Sequence, residues 1–158
     1  MLTSRLMQLI DRHAASLTHA AVKDVLSNEC TASFRRIPRE ELESRVLAMF
    51  QNLSKWIGNA DGNARQEYED WGRTRFRQGI PLSEIVYSVI LMKHHLREFI
   101  REHGQVVFSG DRLAHEMIGV ELYSIQELNY MVGEFFDRAL YHLAKGYETA
   151  EKAAQAVA

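Results

Sequence analysis

Along most of this 158-residue chain the apolar residues recur at intervals of three and four, the spacing of one buried helix face. The first stripe is Leu6, Ile10, Leu17 and Ala21; it predicts a helix over 2–26 and contains His13. Ser27 to Ile37 breaks the pattern with Ser, Asn and Thr and reads as a connector anchored by Phe34. Pro38 opens a second helix, because its fixed φ suits the first helical position and its missing N–H would have had no partner there. Glu40 and Glu41 fall in the first turn, where the helix dipole favours acids. The stripe of this helix is Leu42, Val46, Met49, Phe50, Leu53, Trp56 and Ile57; Gly58-Asn59 ends it, and Asp61-Gly62-Asn63 supplies the turn.

A third helix is predicted over 64–78, with Tyr68, Trp71, Gly72, Arg75 and Gly79 close to one face. The rest of the chain is arranged around the segment Tyr68 to Glu84. Gly79 stops the helix, since glycine enters the left-handed conformation without steric cost, and Pro81 starts the next. That fourth helix, over 81–103, carries Leu82, Ile85, Val89, Met92, Leu96, Phe99 and Ile100, with Gly104 as its stop. Gln105 to Phe108 reads as a loop or a helical lead-in, because a short strand would have no partners. Ser109 or Asp111 caps a last helix whose stripe runs from Leu113, Met117, Ile118, Leu122 and Ile125 to Leu143 with a period near 3.5, with Gly119 and Gly133 as places to bend. After Gly146 the composition turns to Ala, Glu, Lys and Gln. The expected fold is all-α, a helical bundle of about five to seven helices with a long C-terminal helix. Residues 1–146 form its helical domain, and 147–158 an Ala-rich, linker-like helical tail that continues into another domain or pairs with a second copy.

Composition agrees: 46% hydrophobic and 25% charged residues are ordinary for a soluble globular protein. A formal charge of −2 gives no electrostatic case for nucleic acid, and Arg35-Arg36 and Arg73 to Arg77 have acids nearby. The single Cys30 excludes an internal disulfide and fits a reducing cytoplasm. Met1 to Ile10 lacks the apolar core of a signal peptide, and no run approaches the roughly 18 apolar residues of a membrane span. The expectation is a cytoplasmic protein with no membrane partner.

Candidate chemistry is sparse. Glu-x-x-His pairs, His-Glu-x-x-His and paired cysteines are all absent, which removes the usual di-iron and zinc arrangements. Cys30 has no histidine near it in sequence, and no nucleophile elbow or phosphate loop occurs; no catalytic residue is expected. Haem needs only one axial histidine in an apolar setting, for which His95 and His13 are the candidates. His94 precedes Glu98 by four residues, a spacing that favours a surface pair. Gly72 admits a close neighbouring helix. Arg75 shares a face with Trp71 and can reach an acid such as Glu84 or Asp137, or an anionic ligand.

Two segments together, Gly72-Arg73-Thr74-Arg75-Phe76-Arg77-Gln78-Gly79-Ile80-Pro81-Leu82-Ser83-Glu84-Ile85 and Glu134-Phe135-Phe136-Asp137-Arg138-Ala139-Leu140-Tyr141 to Gly146-Tyr147-Glu148, resemble the N-terminal domain of RsbR-type (RsbRD) co-antagonist proteins of the bacterial stressosome. Similar domains precede the kinase region of some bacterial sensor histidine kinases. The resemblance covers most of 1–148. It implies an all-helical, globin-related or bundle-like input module that dimerises, with its last helix leading to an output domain such as a STAS or histidine kinase domain. It carries over no catalytic residue and names no ligand, and globin-like members need not bind haem. The expected function is a non-catalytic signal-input domain acting as a homodimer on an output domain or stress-signalling partner, with Trp71, Arg75, His95 and Tyr123 as ligand or switch residues. A haem-binding gas sensor using His95 or His13 is one alternative; a purely structural dimerisation domain is the other.

Overall fold

A computed structural model of the protein describes residues 2–59, 64–108 and 118–158. Its elements are α1 (Leu2–Ser27), a 3-10 helix (Glu29–Arg36), α2 (Arg39–Asn59), α3 (Ala64–Arg77), α4 (Leu82–Phe108) and α5 (Ile118–Val157), with no strand among the described residues. The fold is an all-α bundle closed by a long C-terminal helix. The expected turn Asp61-Gly62-Asn63, the caps Ser109 and Asp111, and Leu113 and Met117 of the last stripe lie outside the described residues.

The apolar stripes are what the bundle buries. Ile10, Leu17 and Ala21 of α1, Leu42, Phe50 and Leu53 of α2, and Ile85, Leu96 and Ile100 of α4 all enter one core. Leu128, Val132, Phe136 and Leu143 of α5 join them. Each fully buried Leu, Ile or Phe contributes about 1.5–3 kcal/mol relative to exposure, so these stripes outweigh any surface pair.

The connector is more ordered than its polar sequence suggests. Asn28 caps it by accepting the Cys30 N–H at 2.9 Å, and the fully buried Thr31 hydroxyl donates to the Val25 carbonyl at 2.6 Å. Phe34 is buried, as expected of an anchor. The Ser33 N–H and hydroxyl both donate to the Glu84 carboxylate at 2.8 Å, tying the connector to the first turn of α4.

At the α3–α4 corner Gly79 adopts φ +72°, and Ile80 is wholly buried. The Ile80 N–H donates to the Arg75 carbonyl at 3.1 Å, closing the helix end. One boundary needs correction: α4 does not stop at Gly104 but runs on to Phe108. An interior glycine costs a helix only about 1 kcal/mol, too little to end one of 27 residues. At about 1.5 Å per residue α5 is a rod of roughly 60 Å. Gly133 does not interrupt it, and Gly146 lies inside it. No described helix is long and apolar enough to cross a membrane.

Candidate functional site

The corner that carries Arg75 packs along α5, as the pairing of the two sequence segments requires; α3 and α5 make the most extensive helix contact in the bundle. Phe76 meets Tyr147 edge-on at 5.2 Å between ring centroids. Farther along α3, Tyr68 stands between Trp71 at 5.0 Å and Phe135 at 6.2 Å. Burial first, and the Glu67 charge second, hold the Tyr68 hydroxyl far above its ordinary range, although Asn52 donates a hydrogen bond to it.

Arg75 is buried, at 7% exposure, and an acid holds it. That acid is neither Glu84, which binds Ser33, nor Asp137, which faces Lys93 at 3.3 Å. It is Glu41, from the first turn of α2: Nη1 of Arg75 donates to Glu41 Oε1 at 3.1 Å and to Gln78 Oε1 at 2.7 Å. Gln78 also donates to Glu41 at 3.1 Å, which closes a three-residue network. Burial pushes the Arg75 guanidinium below its ordinary value; Glu41 draws it back up and Arg45 opposes it. Burial raises Glu41 too, but hydrogen bonds from Gln78 and Arg75 and the charges of Arg75 and Arg45 outweigh that and leave it lowered.

Arg45 lies one turn beyond Glu41 on α2 and stacks over Trp71, its guanidinium carbon 5.1 Å from the ring centroid. Arg75 is placed similarly over Phe34 at 5.7 Å. Together these groups wall a cavity of about 50 Å3 whose remaining lining is almost entirely apolar, including Met49, Val89, Met92 and Leu143. It is the point where α1, the connector, α2, α3, α4 and α5 meet.

The four expected site residues therefore divide. Trp71 and Arg75 share this cavity wall. His95 sits apart on α4, with Nε2 at 2.8 Å from the Asp24 carboxylate of α1. Tyr123 is 66% exposed on α5. His13 packs edge-on against Phe99 at 5.5 Å and His103 at 5.7 Å. His94 and Glu98 do not form the expected pair, because the Glu98 carboxylate is taken by Arg101. Sequence reasoning missed Arg45 and Gln78, and read Glu41 only as a first-turn acid. The available signal was Arg45 adjoining Val46 in the apolar stripe of α2, a cation at the edge of a face destined for burial.

No curated protein and no solved structure matches the chain. A family model does, over residues 2–157, and with nearly the whole length matched the chain belongs to the family described as the RsbT co-antagonist protein rsbRD N-terminal domain.

Proposed function

We propose that this chain is a non-catalytic bacterial signal-input domain that works as a cytoplasmic homodimer. It passes a change in its core along α5 to an output domain or stress-signalling partner. Membership of the rsbRD N-terminal domain family supports an input role. The observation that carries the mechanism is the division of α5: Leu128 to Gly146 bury one face against the bundle, whereas 151–158 is exposed throughout. A single helix clamped at one end and free at the other converts a small change at the α3–α5 crossing into a displacement of its far end. A ligand or partner shifts that balance only by its difference in affinity for the two packings.

The test combines sedimentation with a distance measurement. With Cys30→Ser and a spin label at Gln155→Cys, a dimer gives an inter-subunit label distance, and a substitution at the α3–α5 crossing shifts it. A monomer at high concentration with the tail intact overturns the dimer. A dimer whose label distance ignores the crossing overturns transmission along α5. The cavity among Phe34, Trp71 and Met92 favours this reading over a purely structural dimerisation domain, which needs no internal space. The haem reading has less support, because His13 and His95 line one open surface groove whose other walls include Glu98 and Glu102, a charged setting in place of an apolar haem pocket.

A further inference from the structure

We infer that the cavity between Arg45 and Arg75 is a binding site for a short-chain monocarboxylate, with the carboxylate on the guanidiniums and the alkyl tail in the apolar interior. The inference rests on the input-domain reading for its role in signalling, but its chemistry rests on the cavity alone.

Charge is the first argument. Two guanidiniums, which stay protonated at any physiological pH, border the cavity, and the one carboxylate paired with them is Glu41. Arg45 has no ion-pair partner among the described residues and lies over the Trp71 ring. The site thus carries an excess of one positive charge where an anion would balance it. Donor count is the second argument. A guanidinium has five N–H groups, and Arg75 directs Nη1 alone at Glu41 and Gln78. Its Nε and Nη2 have no hydrogen-bond partner among the described residues, and neither is among the fully buried atoms left without one, so both keep surface that a ligand can reach. A carboxylate accepts two such N–H groups side by side.

Size and lining set the rest of the ligand. An apolar cavity of about 150 Å3 takes benzene, so one of about 50 Å3 takes a tail of roughly two carbons. Val22, Val25, Met49, Val89, Met92 and Leu143 offer that tail nothing but carbon and sulfur side chains. A dicarboxylate would bring a second charged group into this lining without a partner. Propionate fits both ends of the site.

The experiment reads Trp71, one of two tryptophans, in a Trp56→Phe background at constant ionic strength. Propionate is expected to change Trp71 fluorescence saturably in the millimolar range, and its neutral isostere propionamide is not. Arg45→Gln, which removes the charge and keeps a polar side chain, weakens the response at least tenfold. So does Ser88→Val, which adds carbon to the cavity wall and leaves both guanidiniums in place. Circular dichroism confirms that each variant folds. The site is overturned if propionate gives no saturable change, if propionamide or sulfate responds equally, or if neither folded variant weakens binding. The label at Gln155 separates this from the input reading. Failure at Trp71 sinks the site and leaves dimeric signalling standing, whereas binding at Trp71 with an unmoved label sinks signalling and leaves the site.

Discussion

Gly72 and Gly146 each face the other helix's backbone across the α3–α5 crossing. A Cβ on Gly72 would lie 2.0 Å from the Leu143 carbonyl oxygen, and one on Gly146 would lie 1.9 Å from that of Glu69. Both obstacles are main chain, which cannot swing aside as a side-chain end can. The crossing therefore exists at this spacing only because both positions lack a side chain. Gly72→Ala and Gly146→Ala should each destabilise the fold by about 3 kcal/mol, the upper part of the overpacking range. Gly133→Ala, on the same helix as Gly146 but with nothing within 4 Å of the added carbon, should stabilise it by about 0.5–1 kcal/mol. Urea denaturation of the three variants reads both signs. Equal effects at Gly133 and Gly146 would show that helix propensity, and not the crossing, decides.

The Glu41–Arg75 pair makes part of the stability depend on acid. Glu41 ionises below its ordinary value in the fold, so its contribution is complete above the usual carboxylate range. It is lost as pH falls through the lowered value. Glu41→Gln should remove that share of the acid sensitivity, narrowing the difference between urea midpoints at neutral and strongly acidic pH. Glu41→Ala goes further and leaves a buried guanidinium without its counter-charge. The expected loss is about 2–3 kcal/mol at pH 7, less than for a fully buried pair because the Glu41 side chain is 32% exposed.

What sequence could and could not reveal follows from the range of each interaction. Gly79 and Pro81 mark their corner through their own backbone preferences, and the stripes of α2 and α4 mark their buried faces through spacing. All of these are local, and the fold class followed from them. The partner of Arg75 was not local: Glu41 lies 34 positions earlier, in the first turn of α2, and meets it only through tertiary packing. Glu84 and Asp137 were plausible by helix geometry, yet each is claimed by another residue, Ser33 and Lys93. The cavity is still less legible, since it needs six elements to converge. Trp71 and Arg75 could be placed on one face, but their grouping with Arg45 depends on tertiary packing.

Glu84 is expected to matter more for the connector than for its own helix. Its carboxylate takes both the backbone N–H and the hydroxyl of Ser33, and hydrogen bonds to a charged group are the stronger kind. Ser33→Ala removes one of the two and should cost about 1 kcal/mol, whereas Glu84→Ala removes both and should cost about 2–3 kcal/mol. Native-state hydrogen exchange locates the loss. Amides of 29–36 should exchange faster in Glu84→Ala, with those of α5 changed only by the global loss. Uniform acceleration across the bundle would contradict the local clamp.

The exposed end of α5 should be dispensable for folding. All eight residues of 151–158 are exposed, so deleting them removes no core contact and should change stability by less than about 0.5 kcal/mol. The boundary is sharp, because Tyr147, four residues earlier than Glu151, packs on Phe76. Tyr147→Ala should cost about 1–2 kcal/mol through the lost ring contact. The same deletion has a second, local readout. Burial first, and the Glu151 charge second, hold the Tyr147 hydroxyl above its ordinary value. With the new C-terminus amidated, removing Glu151 with the tail leaves burial alone, so Tyr147 should ionise at a lower pH than in the intact chain, as followed by NMR of labelled tyrosine. An unchanged titration together with a large loss of stability would mean that the tail folds back onto the bundle, and that α5 is not the free lever its exposure indicates.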